Sequence, residues 1–158
     1  MNVAVIGLWH LGSVVATCAA SVGHTVAAWD PDAAVVAGLN EGRPPVAEPG
    51  IASLARAGLD SGALQFVNDR RVAVQSAGIV WITFDTPVDD EDRADAGKVV
   101  DEVIDLFGDL ADGSLVVVSS QLPVGTIARL EAACTVIRTS SAIFRPLKRP
   151  SGRADGPP

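Results

Sequence analysis

Positive charge, cysteine and long apolar runs are all scarce in this chain. Its 158 residues carry 12 Lys and Arg against 19 Asp and Glu, a formal net charge of −7. A protein that neutralises nucleic-acid phosphates needs a basic excess, so nucleic acid is not an expected partner. The two cysteines, Cys18 and Cys134, are too few and too far apart for a disulfide framework, and neither has a C-x-x-C partner. With two histidines, Cys/His zinc spacing is missing as well. No apolar run reaches the roughly 20 residues needed to cross a bilayer, so no membrane association is expected. The N-terminus enters an apolar run without a basic leader or a small-residue cleavage site, which makes a reducing cytoplasm the expected setting.

What is present is a core. Apolar residues make up 48% of the chain, enough for one domain of this length. Charge divides it into two regimes. Residues 139–158 hold Arg145, Lys148, Arg149 and Arg153 against Asp155, so the other 138 residues carry −10. Four of the ten prolines fall in the last thirteen residues. The expectation is an ordered domain over 1–138 and a flexible tail over 139–158.

Within the ordered part, apolar β-rich runs alternate with helical patterns. Strands are expected at 2–6, 25–29, 64–67, 79–84 and 115–119. Helices are expected at 11–22, 32–40, from 48–50 to about 59, 69–76, 96–110 and from 123–126 through 134. Gly23 suits a left-handed helix end, Asp32 and Asp69 are expected caps, and Pro49 is placed in a first helical turn. Asp89, Asp90, Glu91, Asp92 and Asp95 mark a solvated loop. Strict alternation predicts an α/β domain: a doubly wound, Rossmann-like parallel sheet with helices on both faces and right-handed crossovers.

The chemistry concentrates at Val3-Ala4-Val5-Ile6-Gly7-Leu8-Trp9-His10-Leu11-Gly12. A strand ends in glycine, a short turn follows, and a second glycine opens a small-residue helix. Such a turn aims backbone N–H groups and a helix dipole at a pyrophosphate. Gly7 makes the tight turn and Gly12 permits close packing. The residue between them departs from G-x-G-x-x-G, because Trp9 stands where the middle glycine lets backbone approach phosphate. Trp9 keeps the N–H donor but adds a large ring, which either faces outward or blocks the groove. Asp30 follows an apolar strand 23 residues after Gly7, where a carboxylate accepts hydrogen bonds from an adenosine ribose. No Lys or Arg occurs between Asp30 and Arg43, and a carboxylate repels a 2′-phosphate, so NAD is favoured over NADP. The alternative is a Rossmann-like sheet without a ligand. His10 reads as a polar residue at a helix start, His24 as structural, and both cysteines as core-facing helix residues.

Several motifs together make the chain similar to the N-terminal NAD-binding domain of the UDP-glucose/GDP-mannose dehydrogenase family. They are Val5-Ile6-Gly7-Leu8 with Gly12, Gly23-His24, Asp30, Glu48-Pro49-Gly50, Thr86-Pro87, and Ser120 with Pro123-Val124-Gly125-Thr126. They span roughly residues 1–135. The resemblance implies enzymes of polysaccharide precursor synthesis that oxidise the C6 alcohol of a nucleotide sugar twice with NAD⁺. It implies that Gly7, Leu8, Trp9, His10, Leu11 and Gly12 hold the pyrophosphate, that Asp30 holds the ribose, and that Thr86 lines the nicotinamide side.

Two further departures accompany Trp9. Val35 stands where the family often has a lysine reaching the ribose. Gln121 replaces a threonine linked to the reacting centre, but retains hydrogen-bonding capacity near the nicotinamide. The family's catalytic cysteine, lysine, asparagine and aspartate would lie beyond residue 158, and its Ser-Pro-Glu segment is not seen after residue 138. The expectation is a truncation, either natural or produced by a shifted reading frame, that leaves the chain inactive alone. A nucleotide sugar becomes a partner only once the missing half is supplied. The other reading is a non-catalytic NAD-binding or interaction module.

Overall fold

A computed structural model describes residues 1–86, 96–137 and 143–144 of the chain. The acidic loop expected at 88–95 and most of the tail expected at 139–158 lie outside the described residues.

Six parallel strands form one sheet in the order β3-β2-β1-β4-β5-β6. They are β1 (Asn2–Ile6), β2 (Thr25–Trp29), β3 (Leu64–Val67), β4 (Ile79–Ile82), β5 (Leu115–Val118) and β6 (Ile143–Phe144). The first five fall where the apolar runs place them. The two-residue β6 pairs parallel with β5 inside the stretch expected as tail.

The helices are α1 (His10–Ser21), α2 (Ala33–Asn40), α3 (Ile51–Ser61), α4 (Arg70–Val74), α5 (Ala96–Leu106) and α6 (Thr126–Ile137). A 3-10 turn, Phe107–Asp109, follows α5. Asp32 caps α2 through a bond from the Ala34 N–H, and Asp69 caps α4 through one from the Arg71 N–H. At the end of α1, Gly23 has φ 94°. Its N–H reaches Ala20 O and that of His24 reaches Ala19 O, closing the helix end as a Schellman motif. Gly50 is the left-handed cap of α3, so Pro49 lies ahead of the cap rather than in the first turn.

β1 is apolar throughout because both of its faces are covered. Val3 and Val5 join the cluster that includes Ala16, Ala20, Val36, Leu39 and Ala55. Ala4 and Ile6 join the opposite one, with Val74, Val103, Phe107 and Leu130. α1 lies close to the sheet because its buried face is Gly12, Ser13, Ala16, Thr17 and Ala20. Cys18 is on the other face and exposed, contrary to the core placement expected of it, while Cys134 is buried as expected. Val35 is half-buried against the first cluster.

Below the second cluster, Asp109 ties α4 to the end of α5. Its carboxylate takes Arg70 Nη2 at 2.9 Å and Arg71 Nε at 2.8 Å. Burial pushes its pKa up, but the hydrogen bonds and charges of Arg71 and Arg70 outweigh that and hold it below the ordinary aspartate value.

The strand order places the site. From β1 the chain winds outward through β2 to β3, then returns to the other side of β1 as β4. Crossovers therefore leave β1 and β4 in opposite directions and open a crevice beyond their C-terminal ends, where doubly wound sheets bind ligands.

Candidate functional site

Gly7 closes β1 and turns the chain. Its φ is 93°, a conformation that favours glycine, and its N–H extends the ladder to Trp29 O at 2.9 Å. A Cβ at Gly7 would lie 2.6 Å from the Phe84 ring and 2.8 Å from the Phe84 nitrogen. The next residue, Leu8, is buried, and its N–H donates to Asp30 Oδ2 at 2.6 Å. Asp30 Oδ1 accepts the Asp32 N–H at 2.9 Å. Both carboxylate oxygens are therefore oriented by main chain, and each keeps a lone pair for a further donor.

Trp9 occupies the cap of α1 with φ −64° and ψ −133°. Nothing in that φ asks for glycine, and the residue is 51% exposed. His10 opens α1 and places Nε2 2.7 Å from Glu48 Oε1, joining the turn to the Glu48-Pro49-Gly50 segment. Its role as a polar residue at a helix start acquires a partner that the sequence did not reveal. Leu11 is exposed. Gly12 is where close approach is absolute: a Cβ there would lie 1.7 Å from Gly7 O.

The ends of β4 and β5 supply the rest. Thr86 donates its hydroxyl to the main-chain carbonyl of Gln121 at 2.5 Å, so these two sequence-chosen residues meet. The threonine lone pairs and the exposed Gln121 side chain remain for other partners. Beside Gln121, the Ser120 hydroxyl is buried without a hydrogen-bond partner. Such an atom is costly unless something bound beside it makes the bond.

A cleft of about 150 Å³ is lined by Asp30, Pro31, Phe84, Asp85, Lys98 and Glu102, among others. Three carboxylates and one ammonium line it, a balance that accepts a ribose diol and resists an added phosphate. Among the described residues, no group of three or more His, Cys, Asp or Glu could hold a metal, and no helix is long and apolar enough to cross a membrane.

Two contributors escaped the sequence reading. Thr83 is buried, with its hydroxyl 2.7 Å from Gly7 O and 3.2 Å from Ile6 O. Phe84 backs the turn and lines the cleft. The available signal was Thr83 itself, a hydroxyl inside an apolar strand, which must find an acceptor if buried.

Residues 1–143 match the NAD binding domain of the UDP-glucose/GDP-mannose dehydrogenase family. The UDP-glucose 6-dehydrogenase of Pseudomonas aeruginosa is 34% identical over 131 residues, covering 83% of this chain and 29% of that protein. The UDP-glucose 6-dehydrogenase TuaD of Bacillus subtilis is 34% identical over 126 residues, covering 79% and 27%. The chain thus spans less than a third of these relatives. Among solved structures, a UDP-glucose dehydrogenase from Pyrobaculum islandicum superposes with a TM-score of 0.74 at 30% identity, over 90% of this chain and 34% of that one. A ternary complex of GDP-mannose dehydrogenase from Pseudomonas aeruginosa superposes with a TM-score of 0.81 at 24% identity, over 92% and 35%, which speaks for the fold.

Proposed function

Because this chain belongs to the UDP-glucose/GDP-mannose dehydrogenase family and matches its NAD-binding domain, we propose that it holds NAD⁺ across the ends of β1 and β4 for a nucleotide-sugar 6-dehydrogenase. The observation that carries this reading is the Leu8–Asp30 bond at 2.6 Å. It sets the ribose-binding carboxylate against the pyrophosphate turn, which only glycine at 7 and 12 allows to be so tight. The residues fit the cofactor. The N-terminus of α1 offers main-chain donors over residues 9–12, Trp9 contributing its N–H, while the Leu8 N–H is spent on Asp30. Asp30 accepts from the adenosine ribose. Thr86, Gln121 and the unpartnered Ser120 hydroxyl face the nicotinamide side.

Bound NAD⁺ supplies the hydride acceptor, and this chain's residues bind and orient it. The groups that act on the sugar belong to the remainder of the enzyme, so the chain alone is expected to turn over neither UDP-glucose nor GDP-mannose. The expected setting is the cytoplasm.

Calorimetric titration tests the reading. NAD⁺ should bind with a Kd in the micromolar range, about −8 kcal/mol, and NADP⁺ at least tenfold more weakly. No heat with NAD⁺ up to millimolar concentration would remove the cofactor assignment. Turnover of UDP-glucose by this chain alone would show that it is more than a cofactor domain.

A further inference from the structure

The Gly7–Leu8 peptide is held at both ends. Its carbonyl oxygen lies 2.7 Å from the Thr83 hydroxyl, and its N–H lies 2.6 Å from Asp30 Oδ2. A trans peptide points these two groups in opposite directions, so β4 grips the turn from one side and the end of β2 from the other. The Thr83 hydroxyl has one proton to give. Ile6 O already receives the Thr83 N–H at 2.8 Å, which leaves Gly7 O as the better acceptor. Thr83 is 1% exposed, so water does not compete for that bond.

Resting on the NAD⁺ reading above, we propose that Thr83 is a positioning residue of the cofactor site, acting on Asp30 through the Gly7–Leu8 peptide. Its hydroxyl fixes the plane of the Gly7–Leu8 peptide, and with it the direction of the Leu8 N–H. The same bond polarises the peptide, strengthening the donor that orients the Asp30 carboxylate. The chain of bonds runs from the Thr83 hydroxyl to Gly7 O, then from the Leu8 N–H to Asp30. Thr83 touches no cofactor atom in this arrangement. It fixes the angle at which the turn and the carboxylate are presented together.

The test is NAD⁺ titration of the full chain with Thr83→Val, which keeps shape and removes the hydroxyl, and Thr83→Ser, which keeps the hydroxyl. Losing one buried bond of this kind is expected to weaken NAD⁺ about fivefold in Thr83→Val, with Thr83→Ser within about twofold of the wild type. Should the valine chain not fold, Thr83→Ala replaces it in the same comparison. A double-mutant cycle separates positioning from general structural support. In an Asp30→Ala background, removing the hydroxyl is expected to cost less than about twofold, because the group it positions is gone. Unchanged affinity in Thr83→Val overturns the assignment. So does Thr83→Ser as weak as Thr83→Val, or an undiminished fivefold cost beside Asp30→Ala. A wild-type chain that binds no NAD⁺ overturns the cofactor reading and this role with it, whereas a binding wild type with an equally tight Thr83→Val overturns the role alone.

Discussion

Gly12 sits against the carbonyl of Gly7 so closely that a methyl group at position 12 would lie 1.7 Å from that oxygen and 2.7 Å from Thr83 Oγ1. Neither neighbour is free to move, since one is main chain and the other is bonded to it. Gly12→Ala is therefore expected to cost about 3 kcal/mol, at the upper end of core overpacking. The urea midpoint measures it, and an unchanged midpoint would mean that the turn is looser than the geometry states.

Asp30 accepts two main-chain N–H groups, yet its charge matters for the ligand more than for the turn. Asp30→Asn keeps one oxygen for the Leu8 N–H and loses the carboxylate. The expected result is an NAD⁺ affinity at least tenfold lower, about 1.4 kcal/mol, with a narrower preference over NADP⁺ and a lower thermal midpoint, because the amide NH2 cannot accept the Asp32 N–H. Calorimetry with both dinucleotides reads the first effect and a thermal melt the second.

Trp9 is half in solvent at the cap of α1, with a negative φ that does not call for glycine. On the proposal that the ring lies outside the ligand's path, Trp9→Gly is expected to change NAD⁺ affinity by less than about threefold. Tightening by tenfold or more would show that the ring lies in the ligand's path. Loss of affinity of that size would make the indole part of the site.

Asp109 links pH to stability. Its folded pKa is below the ordinary value of 3.8, so its contribution is complete above the unfolded pKa and is lost as pH falls through the folded one. The chain is expected to lose stability below about pH 4 more steeply than Asp109→Asn, which lacks this dependence. Denaturation midpoints of both chains between pH 3 and pH 7 check it, and parallel curves would contradict it.

Most of the scaffold could be read from periodicity, because a doubly wound sheet buries both faces of its strands. Val3, Ala4, Val5 and Ile6 leave no other reading. Asp30 was equally legible, since a carboxylate ending an apolar strand is conspicuous. Cys18 was misplaced because α1 carries small and apolar residues on both faces, and without amphipathic contrast its buried stripe, Gly12 through Ala20, cannot be phased from sequence. Thr83 and Phe84 were invisible as site residues for a different reason. Their importance depends on the end of β4 returning beside Gly7, a contact 76 residues apart in the chain. The His10–Glu48 pair is likewise a product of tertiary proximity. Ile143–Phe144 were obscured by the basic, proline-rich composition around them.

We propose that NAD⁺ lies at the turn between β1 and α1, with Asp30 on its ribose. Amide resonances followed by NMR during an NAD⁺ titration test it directly. Saturable shifts are expected at Leu8–Gly12, Asp30, Thr86, Ser120 and Gln121, with the amides of β3 unmoved. Saturable binding that shifted other amides and left Leu8, Gly12 and Asp30 in place would contradict it.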